Sequence, residues 1–174
     1  MHKPERREKG TFSGAGDLKV RGYAATWDTY DMGSFEERLD QTAFNRALEQ
    51  ADEIALLWNH DTGKPLARVR AGNLRLWSDD TGLGFEATLS DTQSGREAYE
   101  LVKSGVVTQC SFGFQVRDEV YEKGSTKPLR IIRDADLLEI SLVTFPANGS
   151  TSVEAREKPA EPASRRVLRM FPPA

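Results

Sequence analysis

The sequence holds one cysteine and two histidines among 174 residues. Cys110 alone rules out an intramolecular disulfide and any cysteine-rich zinc module. Neither sign of charge dominates: 24 basic and 27 acidic residues leave a net charge of −3. No run of like charge is long enough to track a phosphate backbone, so nucleic acid is not an expected partner. No apolar stretch approaches the roughly 20 residues that span a bilayer, so no membrane association is expected. The charged opening Met1–Lys9 has no apolar run behind it, which predicts no secretory signal. Internal repeats and cofactor-binding motifs are also missing, and no cofactor is expected.

What is there suits a globular chain of one domain. The apolar fraction of 38% and charged fraction of 29% allow a real core together with some polar, disordered sequence. Residues 1–17 are charged and glycine-rich and are expected to be flexible. Residues 18–148 are dense in strand-like patterns. Residues 149–174 turn to Glu, Arg, Lys, Pro, Ala and Ser, a composition that cannot bury enough apolar surface to offset the entropy of ordering it. A mobile tail is expected there, ending in the more apolar Val167–Phe171.

Strands are predicted at Leu18–Trp27, Ile54–Trp58, Leu66–Trp77, Gly82–Leu89, Val106–Arg117 and Leu137–Phe145. Phe44, Ala47 and Leu48 share a helical face after Asp40, a candidate N-cap. Ala98, Leu101 and Val102 do so after Asp91 or Thr92, with Gly105 placed to end the helix. Many strands without regular strand–helix alternation favour a mainly β fold, a closed or nearly closed barrel with helices packed outside.

Side chains alternate along a strand, so Cys110, Phe112, Phe114 and Val116 share one face, while Gln109, Ser111, Gly113 and Gln115 share the other. The first face is apolar and belongs in a core. The second sets a small hydroxyl beside a glycine, leaving room for a peptide substrate, and glycine weakens a strand interior unless a ligand or another backbone must come close. The plainer reading is a wet edge strand. In the last strand Leu138, Ile140 and Leu142 fall on one face, and Glu139, Ser141, Val143 and Phe145 on the other. A carboxylate within such an apolar run needs a partner, either an arginine or a histidine. His2 lies in the charged opening, which leaves His60, at the end of the run Ile54–Trp58. A neutral imidazole can accept a hydroxyl proton near neutral pH, and a neighbouring carboxylate fixes its tautomer.

Three segments resemble the signature stretches of phage prohead maturation proteases of the HK97 type. They are Leu57-Trp58-Asn59-His60-Asp61, Gln109-Cys110-Ser111-Phe112-Gly113-Phe114 and residues 138–148, from Leu138-Glu139-Ile140-Ser141 to Pro146-Ala147-Asn148. The opening Gly22-Tyr23-Ala24-Ala25-Thr26-Trp27, then Glu36, Arg38, Leu39 and Phe44, is similar as well. The likeness runs from Leu18 to Asn148 in family order; one departure is Ala67, where the family often has glycine. The resemblance implies a barrel like that of herpesvirus assembly proteases, ringed by helices. It implies a serine endopeptidase with Ser111 as nucleophile, His60 as base and Glu139 as the acidic third member. It further implies action inside the assembling prohead, in the bacterial host cytoplasm, on the scaffolding segment of the major capsid protein, often followed by self-degradation. Trimming of the tail by the enzyme is a separate expectation, drawn from the tail's composition. Fold analogy adds self-association.

Three rivals stand beside this. Cys110 paired with His60 offers an attractive thiol, but strand parity sends Cys110 to the core. A metal site lacks ligands, with one usable histidine and scattered carboxylates. A non-catalytic capsid scaffold or interaction module draws on the tail and the missing cofactor motif.

Overall fold

A computed structural model describes residues 17–145 and the backbone of residues 152–155. The expectations for residues 1–16 and for most of the tail fall outside the described residues. Among the described residues, ten strands, two α-helices and one 3-10 turn make a mainly β fold.

Four strands form one sheet. β1 (Lys19–Thr26) pairs antiparallel with β7 (Gly82–Thr88), which pairs with β6 (Leu74–Ser78), and β10 (Ser152–Ala155) lies along the other edge of β1. The second sheet is built on β8 (Gln109–Lys123) and β9 (Pro128–Val143), one long antiparallel hairpin. Because β8 covers one edge of β9 throughout, the other edge is shared by two shorter parallel strands. β3 (Glu36–Leu39) pairs with Leu129–Ile132, and β4 (Ala55–Trp58) pairs with Ile140–Leu142. β2 (Thr29–Asp31) and β5 (Asp61–Arg68) complete the outer edges. Among the described residues no ladder closes either sheet into a barrel.

Three sequence expectations shift. The run Leu66–Trp77 is two strands, β5 and β6, in different sheets. The chain turns the corner between them at Gly72, whose φ of 75° is open to glycine, while Asn73 Oδ1 takes the Arg68 N–H at 2.9 Å. β8 begins only at Gln109, because the Val106 and Val107 N–H groups cap the preceding helix at Leu101 O. The hairpin then extends well beyond the predicted strands. Its outer half is hidden in sequence by charge: Arg130 reaches Glu37 on β3 at 2.8 Å and Glu119 on β8 at 2.7 Å, with Glu37 only 1% exposed. That ion triad joins three neighbouring strands where an apolar alternation would otherwise advertise them.

The helices behave differently from each other. α2 (Gln93–Lys103) follows its sequence signals: the Thr92 side chain caps Gly95 N–H, Ala98, Tyr99 and Val102 are buried, and Gly105 ends the helix at a φ of 73°. α1 (Asn45–Glu49) is only five residues long and has no side-chain cap. Asp40 instead holds Thr42 through its N–H at 2.9 Å and its hydroxyl at 2.6 Å, an Asx-type turn before the helix. Phe44 leads from that turn into the core, edge-on to Phe112 at 5.7 Å. Phe112, Ile140, Leu142, Leu56, Leu66 and Phe85 are fully buried around it. No helix among the described residues is long and apolar enough to cross a membrane.

Candidate active site

The central rows of the second sheet gather the residues singled out by sequence. Ser111 on β8 lies directly opposite Ser141 on β9, and Gly113 lies opposite Glu139. Leu57 on β4 stands beside Ser141 on the other side. Ser111, Gly113, Glu139 and Ser141 therefore share one face of the sheet. Cys110 and Phe112 point to the opposite face, into the apolar core, as alternation predicts.

The parity predicted for β9 fails at one residue. Gly113 pairs with Glu139 but Phe114 pairs with Leu137, so Leu138 is the extra residue of a β-bulge. Leu137, not Leu138, takes the core position, and Leu138 is 51% exposed. The bulge restores the register just before Glu139, so that the carboxylate comes out on the face of Ser111 and Ser141.

His60 reaches the same face by a turn. Trp58 pairs with Asp61, which leaves Asn59 and His60 as a two-residue hairpin loop between β4 and β5. Both have positive φ, 48° and 61°, as the tight hairpin turns that match strand twist require. Asparagine tolerates this conformation; histidine stands where glycine is ordinarily preferred. The turn is pinned to the end of β9. Asn59 N–H donates to Leu142 O at 2.8 Å, Thr144 N–H donates to Asn59 Oδ1 at 3.1 Å, and His60 N–H donates to Ser141 Oγ at 3.2 Å.

So held, the imidazole meets the carboxylate: His60 Nδ1 lies 2.5 Å from Glu139 Oε1. A carboxylate can only accept, so Nδ1 is the donor in this contact, and in the neutral imidazole that tautomer leaves the lone pair on Nε2. The contact is well sheltered, with 6% of the His60 side chain and 17% of the Glu139 side chain exposed. Ser141 Oγ donates to the other oxygen, Glu139 Oε2, at 2.5 Å. Gly113 makes the room. A Cβ there would fall 2.8 Å from Glu139 Oε1, so the group this glycine accommodates in the structure is the Glu139 carboxylate.

His60 Nε2 and Ser111 Oγ are both buried without a hydrogen-bond partner among the described residues. The structure thus joins His60 to Glu139 and sets Ser111 on their face of the sheet, but no hydrogen bond links Ser111 to His60. Ser111 is fully buried. Sequence reasoning placed Ser141 on this face and assigned it nothing; its position two residues beyond Glu139 on one strand was the available signal. Among the described residues no three His, Cys, Asp or Glu side chains converge as metal ligands.

A hydroxyl, an imidazole and a carboxylate on one face define a candidate hydrolase site of the serine type, and the comparisons agree with that class. A sequence model of the caudovirus prohead serine proteases matches residues 4–166, and the chain belongs to that family. It is 26% identical over 133 residues to the prohead protease of Escherichia phage T5, an alignment covering 76% of this chain and 60% of that protein. The chain therefore spans about 60% of the length of the curated relative it matches. No solved structure matches it.

Proposed function

We propose that this protein is a serine endopeptidase of prohead maturation in which Ser111 attacks, His60 accepts the proton and Glu139 orients the imidazole. The observation that carries the reading is the 2.5 Å contact between His60 Nδ1 and Glu139 Oε1 on the face of the sheet that bears Ser111. That contact leaves Nε2 as the basic nitrogen. Ser111 Oγ attacks the scissile carbonyl carbon as its proton passes to Nε2, and Glu139 stabilises the imidazolium formed. Collapse of the tetrahedral adduct expels the amine, which leaves with the proton from Nε2. Water then enters, gives a proton to Nε2, and cleaves the acyl-serine by the reverse path.

Membership of the prohead protease family supports the substrate: the scaffolding segment of the major capsid protein, cut inside the assembling prohead in the bacterial host. The protease's own segment 149–174 is a second substrate in this reading, and self-association accompanies activity. Neither nucleic acid, membrane nor cofactor takes part. The two sheets correspond, in the same proposal, to the barrel of herpesvirus assembly proteases with α1 and α2 outside it.

One observation favours the rival, a non-catalytic capsid module: Ser111 has no exposed surface and no hydrogen bond to His60. Catalytic hydrogen bonds commonly tighten only when substrate is bound, so the missing bond does not remove Ser111 as nucleophile. Co-expression with the major capsid protein decides. Wild type is expected to generate one new capsid-protein N-terminus, and Ser111→Ala none. Equal cleavage by Ser111→Ala removes the proposed nucleophile, and co-assembly with no cleavage by wild type establishes the module.

A further inference from the structure

The hydroxyl of Ser141 touches both halves of the His60–Glu139 pair, and its direction is fixed by its partners. The His60 backbone N–H can only donate and the Glu139 carboxylate can only accept. The hydrogen bonds must therefore run from His60 N–H to Ser141 Oγ, 3.2 Å, and from Ser141 Oγ–H to Glu139 Oε2, 2.5 Å. Oε1 remains for the imidazole, whose Nδ1–H donates back at 2.5 Å. A closed ring results, from the His60 main chain through Ser141 and Glu139 to the His60 side chain.

This ring constrains two soft degrees of freedom. Each carboxylate oxygen has its own donor, so the plane of the Glu139 carboxylate cannot turn without breaking one bond. The left-handed His60 backbone is tied to the same hydroxyl that aims its acid. Ser141 is itself immobilised: it is fully buried, paired across the ladder with Ser111, and flanked by Leu57 of β4. A side chain so placed is rigid, and rigidity around a reacting group is worth rate.

We infer that Ser141 is a positioning residue of this site, acting through Glu139 and His60 rather than on substrate. The inference rests on the assignment of Ser111, His60 and Glu139 to catalysis. A serine that merely satisfies a local hydrogen bond within β9 predicts no kinetic role.

The test uses the full chain and capsid-protein cleavage, with Ser141→Ala and Ser141→Thr. Ser141→Ala is expected to lower kcat on the order of 10–100-fold with KM nearly unchanged, since positioning is lost and binding is not. In the Ser111→Ala background, the low-field proton resonance of His60 Nδ1–H is expected to move upfield when Ser141→Ala is added. Ser141→Thr keeps the hydroxyl and is expected to recover most of both signals. Wild-type kcat and an unmoved resonance in Ser141→Ala overturn the inference, as does a folded Ser141→Thr no better than Ser141→Ala. Should Ser141→Ala not fold, Ser141→Cys, which keeps a side chain of similar size with a much weaker donor, carries the test on the same two readouts, with loss of both supporting the inference and wild-type values overturning it. Retained cleavage by Ser111→Ala alone is a different result: it removes the nucleophile assignment itself.

Discussion

The carboxylate of Glu139 lies over the α-carbon of Gly113, directly across the β8–β9 ladder, where a methyl group would come within 2.8 Å of Oε1. Gly113→Ala therefore has one soft obstacle, the end of a side chain, and that end is the part bonded to His60. The substitution is expected to lower the melting temperature modestly, because displacing the carboxylate strains its bonds to His60 and Ser141. It should cost about 10²-fold in kcat, the usual penalty for a displacement of about 1 Å. Capsid-protein cleavage rates beside thermal melts check this, and wild-type turnover would mean that the carboxylate can move without consequence.

Position 60 carries a conflict between backbone and chemistry. At a φ of 61° a glycine is unstrained and a non-glycine residue is not. His60→Gly and His60→Ala both remove the imidazole and are expected to lose at least about 10⁴-fold in kcat. They should differ in stability, with glycine the more stable by about 1 kcal/mol, since only glycine relieves the turn. Paired denaturant melts read the difference. Equal stability would show that the turn holds no strain at this residue.

Ser111 is fully buried, and its hydroxyl has no hydrogen-bond partner among the described residues. Such a group costs free energy in the folded state, about 1–3 kcal/mol when nothing compensates it. Ser111→Ala is thus expected to abolish cleavage while holding or raising the melting temperature. A clear loss of stability would mean that the hydroxyl is bonded in solution. The same burial predicts slow labelling of Ser111 by serine-reactive phosphonates until substrate or assembly uncovers it.

One source of acid sensitivity lies in the first sheet, away from the catalytic face. Asp79 accepts from Tyr23 Oη and Trp77 Nε1, both at 2.8 Å, and from the N–H groups of Thr81 and Gly82 at 2.8 and 3.2 Å. Burial pushes its carboxyl up, but these donors together outweigh burial and hold it below the usual carboxylate range. A folded-state pKa below the unfolded one gives stability that is complete above about pH 4 and is lost as pH falls through the folded value. Asp79→Asn is expected to lower stability by about 1–3 kcal/mol near neutral pH, a gap that closes in acid. A pH-independent gap between the two melting curves would contradict this account.

Local pattern was legible in sequence wherever physics is local. Alternation put Cys110 and Phe112 on one face of β8 and Ser111 and Gly113 on the other, and the Thr92 cap and Gly105 bounded α2 correctly. Charged pairs defeated the same rule in the outer hairpin, because Arg130 satisfies Glu37 and Glu119 from separate strands. The bulge at Leu138 defeated it again, since an inserted residue exchanges the two faces and leaves no compositional trace.

The sequence by itself determined which side chains were available for acid–base chemistry and which face of β8 each one takes, because strand periodicity depends only on neighbours along the chain. Only the tertiary structure decided that His60 Nδ1 meets Glu139, 79 residues away, and that Ser141 links the carboxylate to the His60 backbone. Those contacts depend on β4 choosing the edge of β9 that β8 leaves free and on a left-handed turn at its end. Strand pairing between distant segments is set by how the whole core packs, and no local pattern encodes it.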